Sequence, residues 1–284
     1  MGTVTECVRE SECPGCSGMS ITPISGQEFL SLCSDCGLVF DNPRPSEEAI
    51  AAHYNQESQY DGWLEQLDDR ARLWARRIRK MRRHRKPGSL LDVGAGIGQF
   101  LSQARTEYSP VLGTEISSTA IELAGRLYGV DVLNGDIEGL QISQQFDNVT
   151  AFHVLEHVHW PSEFLRCCHK LLSPGGRLFL AVPNDLEALP SRIGRCSLTS
   201  ISLSASEIHL SHFTTRSLAT LLRRSGFEVI HLSLDPYWVV PSSKERLQTA
   251  CYVAVGVVHY LTDINLYPTT WAVAQKSDQT TATI

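Results

Sequence analysis

The sequence has no uninterrupted apolar run of the roughly 18 residues that a transmembrane helix needs, so we expect no membrane-spanning segment. Its first residues, MGTVTECVRESEC, lack a basic stretch followed by an apolar core, which argues against a secretory signal peptide. An excess of one charge is also missing, since 25 Lys and Arg face 31 Asp and Glu. With 42% hydrophobic residues, this balance excludes a disordered chain. We therefore expect a folded, cytoplasmic protein whose cysteines stay reduced.

Four of the nine cysteines form two Cys-x-x-Cys pairs that are sixteen residues apart: Cys13, Cys16, Cys33 and Cys36. Two such pairs supply four thiolates, which is the ligand set of a closed, structural zinc site. The segment between them has short apolar stretches around Gly26, which indicates a β-hairpin. We predict a zinc-ribbon-like domain over residues 1–42, because about 40 residues form too small a core to fold without such a metal.

A cationic segment follows within a predicted helical linker, residues 43–87. Ten of the 25 basic residues fall within residues 70–86, which leaves the remainder with a formal charge of −16. Side chains recur there at helical spacing, namely Leu73, Arg77, Ile78 and Met81. The pattern predicts a helix from about Trp63 to Arg85. Two interpretations stay open: a solvated helix face that balances the acidic body, which we favour, and a site for phosphate, nucleic acid or lipid headgroups.

From Ser89 onward, short apolar strands alternate with helical patterns. This alternation indicates an α/β fold with a parallel sheet, whose ligand lies at the carboxyl ends of the strands. The first strand ends in the loop GAGIG, which has three glycines at GxGxG spacing: Gly94, Gly96 and Gly98. Glycines let a backbone approach a ligand closely, although such a loop alone is a weak signal. The helix after the second strand has a predicted capping box at Thr119 and Glu122.

Carboxylates accompany the first three strands. Asp92 directly precedes the glycine loop, and Glu115 ends the second strand, seventeen residues after Gly98. A carboxylate at Glu115 can accept both hydroxyl groups of a ribose. Asp136, in NGDIE at the end of the third strand, can accept from an adenine amino group. These features alone fit dinucleotide enzymes as well as enzymes that use S-adenosyl-L-methionine (SAM).

Taken in order, these segments resemble the class I SAM-dependent methyltransferases of the type 11, 12 and 23 kind. The matching segments are LLDVGAGIGQFL, GTEIS, NGDIE, FDNVTAFHVLEHV, LLSPGGRLFLAVPN and HLSHFTTRSLATLLRRSGFEVI, with TTWAVAQKS as the last strand. The resemblance implies a methyltransferase domain over residues 88–284, SAM as methyl donor, and a Rossmann-like seven-stranded sheet. In that sheet the last strand runs antiparallel beside the sixth. CPGC, CSDCG and LVFDNPRPS look like the zinc-binding extension found on a subgroup of these enzymes.

The resemblance also implies a set of cofactor contacts. By position, the cofactor-binding residues are Asp92, Gly94, Gly96, Gly98, Glu115, Ile116, Asp136, Ile137, Phe152 and His153. The first four would surround the methionine part of SAM. Glu115 would hold the ribose, and Ile116 would pack on the adenine. Asp136 and Ile137 would flank the adenine edge. The last two, at the end of the fourth strand, would face the sulfonium.

Transfer to a hydroxyl also requires a base, and histidine suits proton removal near neutral pH. The candidates are His153, His157, His209 and His212. The first two lie in HVLEHV, which is similar to a Glu-x-x-Glu-His arrangement associated with a divalent metal in ubiquinone-pathway O-methyltransferases. Because a histidine fills the first position here, the use of a metal stays open. The other two lie in EIHLSHFT, a segment that covers the substrate pocket in the family.

Residues 237–266 form a predicted helical insertion before the last strand. Its run CYVAVGVVHYL is apolar nearly all round, but 11 residues are too few to span a bilayer. We expect a buried helix. The alternatives are a cap on the acceptor pocket, a dimer contact and a peripheral membrane contact.

Together these features predict a methyltransferase for a small-molecule, glycan or natural-product acceptor, and O-methylation is the favoured reaction. The first alternative is an RNA methyltransferase that uses the ribbon and the basic helix as a grip. The segment AFHVLEH at the end of the fourth strand argues against this alternative, because it lacks the Asn/Asp-Pro-Pro-aromatic motif of amino-directed DNA enzymes. The second alternative is a non-catalytic zinc-ribbon interaction protein. The intact glycines, Glu115 and Asp136 argue against that alternative.

Overall fold

The computed structural model describes residues 7–54, 60–188 and 208–277. The strands are β1 (Cys7–Val8), β2 (Ile21–Ile24), β3 (Gln27–Cys33), β4 (Val39–Asp41), β5 (Arg44–Pro45), β6 (Leu90–Val93), β7 (Val111–Glu115), β8 (Val132–Asn134), β9 (Phe146–Phe152), β10 (Leu172–Pro183), β11 (Ser211–His212), β12 (Phe227–Leu234) and β13 (Thr269–Lys276). The helices are α1 (Glu47–Tyr54), α2 (Asp61–Glu65), α3 (Leu67–Met81), α4 (Gln99–Ala104), α5 (Ser118–Tyr128), α6 (Pro161–Leu171), α7 (Thr215–Arg224) and α8 (Glu245–Thr262).

Seven strands form the central sheet in the order β12-β13-β10-β9-β6-β7-β8. The strands from β10 to β8 pair in parallel, and β13 runs antiparallel between β10 and β12. Alternate residues of β10 enter different cores: Leu178 and Leu180 pack with α6 and α7, whereas Phe179 and Ala181 pack with α3 and α4. The predicted Rossmann-like seven-stranded sheet is therefore confirmed, and so is its antiparallel last strand.

A second sheet, in the order β11-β4-β3-β2, contains the predicted hairpin. β2 and β3 are antiparallel and turn at Gly26, whose φ is +77°. The fourth strand, β11, comes from much later in the chain, and its Ser211 pairs with Phe40 of β4. The cysteines also share a hydrophobic core with Phe213 and Leu218. The amino-terminal sheet is thus joined to the larger sheet through both backbone pairing and core packing.

The basic segment differs from the prediction in shape and in environment. Its helix is interrupted at Gln66 and ends at Met81, four residues earlier than expected. Most of its cations turn toward carboxylates: Arg72 and Arg76 contact Glu245, and Arg82 and Arg85 contact Glu107, while Arg77 is fully buried. The interpretation as a solvated face is therefore wrong for Arg76 and Arg77, which pack against the protein, whereas Arg79, Arg82 and Arg83 are exposed.

Two further predictions of local structure are wrong. The helix α5 begins one residue before Thr119, and its N-cap is Ser117, whose hydroxyl accepts from the backbone N–H of Ala120 at 3.3 Å. The predicted capping box at Thr119 and Glu122 therefore lies inside the helix.

The predicted insertion forms the helix α8, but the expectation of a buried helix is wrong. Every residue of α8 is at least partly exposed, because the helix packs along one side only. In the described part of the chain, the helices are too short or too polar to cross a membrane.

Candidate active site

The glycine loop follows β6 and folds over its carboxyl end. Gly94, Gly96 and Gly98 have φ values of +71°, +53° and +76°, a region in which other residues are strained. A Cβ atom on Gly96 would also lie 2.8 Å from the ring of Trp63. The loop therefore requires glycine both for its backbone conformation and for close packing, as a cofactor loop does.

Glu115, at the end of β7, holds this loop. The backbone N–H of Gly96 donates to its Oε2 at 2.8 Å, and those of Ile116 and Ser117 donate to its Oε1 at 2.9 and 3.0 Å. Burial raises the pKa of Glu115, and these three donors oppose that rise. Since a carboxylate oxygen accepts two donors, Oε2 retains capacity for a ribose hydroxyl. The carboxylate therefore fits the predicted contact with SAM.

The other predicted cofactor residues lie around the same edge of the sheet. The Asp92 carboxylate is buried beneath the loop, where burial raises its pKa to about 7 although Thr150 donates to it at 2.6 Å. Ile116 is 37% exposed beside Glu115 and offers an apolar surface to an adenine. Asp136 is exposed at the end of β8, and its neighbour Ile137 belongs to the core. The geometry thus gives Ile137 a packing role.

Aromatic side chains of the linker cover the glycine loop, which the sequence analysis did not anticipate. Tyr60 packs with Ile97 of the loop, and burial raises its pKa to about 12. Trp63 rests beside Gly96, and the guanidinium of Arg70 lies 3.8 Å from its ring centre. The stretch YDGWL indicated this contact, since two aromatic residues close together on a surface segment favour packing against another part of the protein.

At the end of β9 the two predicted contacts have different environments. Phe152 is 8% exposed and stacks on Trp271, with ring centres 5.4 Å apart, so it belongs to the core. His153 has a φ of +58°, and its side chain is one quarter exposed. Its ring lies 4.6 Å from that of Tyr237. His153, and not Phe152, therefore borders the space in front of the strand end.

A buried ion pair fixes the orientation of His153. Arg77 and Asp235 are both inaccessible to solvent and contact each other, with Arg77 Nε 3.2 Å from Asp235 Oδ1. Arg77 Nη2 also lies 3.0 Å from His153 Nε2. Because a guanidinium only donates, His153 Nε2 must accept, and the ring proton is on Nδ1. That Nδ1 lies 3.2 Å from Oε1 of Glu156.

Glu156 is a fully buried carboxylate at the centre of the histidine cluster. Among the described residues, neither of its oxygens makes a hydrogen bond of regular geometry. Burial raises the pKa of Glu156, but the interaction with His153 and the charges of His157 and His209 outweigh this effect and hold the pKa below its usual value. A buried carboxylate whose pKa is lowered requires a cation or a strong hydrogen-bond donor nearby.

His157 and His209 complete this group. Their rings meet edge to face with centres 5.0 Å apart, and His157 Nδ1 lies 2.8 Å from the Tyr54 hydroxyl. One nitrogen of each ring and one oxygen of Glu156 lie within 4.8 Å of one another. Two imidazoles and a carboxylate form a donor set that divalent transition metals accept. The three side chains can therefore hold a metal ion or act on a proton.

His212 has a different environment from the other candidates. Its Nε2 lies 2.9 Å from Asp41 Oδ1, and its Nδ1 lies 3.3 Å from Asp185 Oδ2. Burial lowers the pKa of His212, but its hydrogen bonds to the two carboxylates raise it by more. The Asp185 pKa is held below its usual value, because the bonds from His209 and His212 outweigh burial. His212 is thus a charged link between β4 and the larger domain, with no nitrogen left to act as a base.

Replacing His212 with asparagine should destabilise the protein by about 3 kcal/mol at pH 6, because it leaves two carboxylates facing each other. The folded-state pKa of His212 is raised above the unfolded value of about 6.5. Its stabilisation is therefore complete below that value and is lost as pH rises through the folded-state pKa. Urea unfolding at pH 6 and pH 9 should show the difference between wild type and H212N shrinking at pH 9.

His84 provides the control for this experiment. Burial and neighbouring cations lower the pKa of His84, so its effect on stability should have the opposite dependence on pH. Equal destabilisation of H212N at both pH values would show that His212 is neutral in the folded state.

The four paired cysteines form a compact cluster at the far end of the second sheet. Cys13 Sγ lies 3.6 Å from Cys36 Sγ, and Cys16 Sγ lies 3.6 Å from Cys33 Sγ. Sulfurs around a tetrahedral zinc ion, each about 2.3 Å from the metal, would be separated by about 3.8 Å. The cluster therefore fits the predicted metal-binding arrangement.

Comparison with known proteins gives a consistent family. Residues 64–232, more than half of the chain, match the family model described as a methyltransferase domain. A ubiquinone biosynthesis O-methyltransferase of Xanthomonas oryzae is 38% identical over 113 residues, covering 35% of this chain and 44% of the relative. Its counterpart from Pseudomonas aeruginosa is 33% identical over 127 residues, covering 42% of this chain and 49% of the relative. The chain thus spans less than half the length of these curated relatives.

Solved structures share the fold. A SAM-dependent methyltransferase of Thermotoga maritima, described as a possible histamine N-methyltransferase, superimposes with a TM-score of 0.56 at 19% identity, covering 80% of this chain and all of that one. A Haloferax volcanii methyltransferase solved with the Trm112 activator gives 0.55 at 18% identity, covering 80% and 97%. With the family match, the glycine loop and the seven-stranded sheet, these likenesses show that the chain belongs to the class I SAM-dependent methyltransferases.

Proposed function

We propose that this protein is an O-methyltransferase that transfers the methyl group of SAM to a small-molecule or glycan hydroxyl. The observation that carries the proposal is the buried Glu156 with His157 and His209, next to the partly exposed His153 at the carboxyl end of β9. Ligands of open α/β sheets bind at this end of the strands. The names of the partial relatives support a hydroxyl acceptor.

On this proposal the donor site is the glycine loop with Glu115. Its carboxylate would bind the ribose, and exposed Ile116 would pack on the adenine. SAM carries its own activated leaving group, so methyl transfer is an in-line displacement that mainly requires alignment of the acceptor. The aromatic cover from Tyr60 and Trp63 would exclude water from this side of the cofactor.

The remaining task is removal of the acceptor proton, and the contacts separate the four histidines. His212 uses both nitrogens on aspartates, and His153 Nε2 accepts from Arg77. We assign proton removal to His157 and His209 together with Glu156, because one nitrogen of each ring and one carboxylate oxygen lie within 4.8 Å of one another. The same three side chains would hold a divalent cation, which would lower the pKa of a bound hydroxyl.

We further propose that the cysteine cluster holds a structural zinc ion. All four positions are thiols, which leaves no coordination site for water or substrate. Cys13 and Cys33 are fully buried in the core shared with α7, so the metal would stabilise the attachment of the amino-terminal sheet.

Replacing His157 with asparagine should slow product formation by about 100-fold, because general-base catalysis contributes factors of this size. The purified protein is incubated with cell extract and methyl-labelled SAM, and mass spectrometry identifies the labelled product. The same product is then followed for wild type and H157N. SAM affinity, measured by calorimetry, should stay unchanged, because His157 lies outside the donor site.

His84, a histidine outside the cluster, provides the control, and H84N should retain the wild-type rate. A label that appears on nuclease-sensitive material would instead support the RNA methyltransferase alternative. A wild-type rate for H157N, with the label on a small hydroxyl compound, would exclude His157 as part of the base.

A further inference from the structure

We propose that the outer face of α8, together with the cations beside it, binds an anionic membrane surface. The apolar side chains that it presents to solvent are Leu247, Val253, Val257, Tyr260 and Leu261, with exposures of 69, 57, 53, 86 and 73%. Monomeric proteins rarely expose a contiguous apolar patch of this kind unless it contacts a partner. This set of residues is called the α8 face below.

The packing of α8 fixes which side faces outward. On the inner side, Tyr252 and Val255 pack on Trp238 and Tyr267. From Leu247 to Thr262 the helix has no Asp, Glu, Lys or Arg, and its 18 residues are about 27 Å long. It is not apolar enough to cross a bilayer, so its geometry suits a helix that lies in the plane of the interface.

Exposed cations lie next to the α8 face. Arg79 of α3 and Arg83, two residues after the end of α3, line a groove of about 750 Å³ that is also lined by Thr249 and Val253 of α8. Lys244 and Arg246, at the start of α8, are exposed as well, and Asp263 follows its far end. In an otherwise acidic protein, cations beside an apolar face are complementary to anionic lipid headgroups.

The same charges disfavour a second copy of the chain as the occupant of this face. A two-fold dimer through α8 would be isologous and would place the same patch of both subunits in one interface. Arg79, Arg83 and Arg246 would then approach their own equivalents, and like charges at an interface oppose association. An anionic bilayer satisfies both the apolar face and its cations.

Flotation of the full chain with vesicles tests the proposal. Wild type should bind vesicles of phosphatidylcholine mixed with phosphatidylglycerol about tenfold more tightly than phosphatidylcholine alone, and added salt should weaken binding. L247S/L261S should lose binding to both. R79E/R83E should lose the preference for phosphatidylglycerol.

The matched control is R126E/L127S, which changes a cation and an exposed leucine on α5, away from the α8 face. It should bind as wild type does, and SAM calorimetry verifies that each variant is folded. Wild type that floats with neither vesicle overturns the proposal. A wild-type dimer that L247S/L261S converts to monomer in light scattering also overturns it, because the α8 face would then join two copies.

Discussion

Replacing Glu115 with alanine should weaken SAM binding by at least about 100-fold, which corresponds to about 2.7 kcal/mol. The carboxylate accepts from the backbone N–H groups of Gly96, Ile116 and Ser117, and it is the residue that would accept the ribose hydroxyls. A hydrogen bond to a charged group contributes about 1.5–3 kcal/mol, so the loss of one bond to a ribose hydroxyl accounts for this size. Isothermal titration calorimetry with the purified protein measures the effect.

Two further variants make this experiment decisive. Glu122 is an exposed carboxylate on α5, and E122A should bind SAM with wild-type affinity. G96V should lose binding as E115A does, since valine is strained at a φ of +53° and its Cβ would meet Trp63. If folded E115A binds within a few-fold of wild type, the cofactor site lies elsewhere.

The central sheet could be predicted from local patterns. Its strands are short apolar runs bounded by glycines and carboxylates. β6, β9 and the second half of β10 are buried on both faces, which favours continuous apolar sequences. The antiparallel direction of β13 came from the resemblance to the family, because no local pattern records the direction of a strand.

Long-range partners explain where prediction failed. Arg76 contacts Glu245, which is 169 residues away, and Arg77 contacts Asp235, which is 158 residues away. The local sequence around these arginines does not distinguish a side chain that packs inward from one that faces solvent. The exposure of α8 was missed for a related reason: a helix that is apolar all round fits a core and an unpaired surface equally well.

In the candidate site, the residue types could be predicted from the sequence, but the role of each residue could not. The four histidines could be selected as candidate bases from the sequence, since imidazole is suited to proton transfer at neutral pH. Their separate roles depend on distant acids and cations: His212 contacts Asp41 across 171 residues, and His153 accepts from Arg77 across 76. Chemistry could therefore be predicted from composition, whereas the assignment of roles required the fold.

Replacing Cys33 with serine should remove the bound zinc and lower Tm by about 10 °C. Cys33 is fully buried, its sulfur lies 3.6 Å from that of Cys16, and its core continues into Leu218 of α7. Binding of a structural zinc ion contributes directly to the free energy of folding. Each 1 kcal/mol shifts Tm by about 2–4 °C in a protein of this size, so a fall of about 10 °C corresponds to about 2.5–5 kcal/mol. Plasma mass spectrometry should find one zinc per wild-type chain, while C251S, an exposed thiol outside the cluster, keeps both zinc and Tm. A folded wild-type protein without zinc would refute the assignment, since the four thiols would then stabilise the sheet by packing alone.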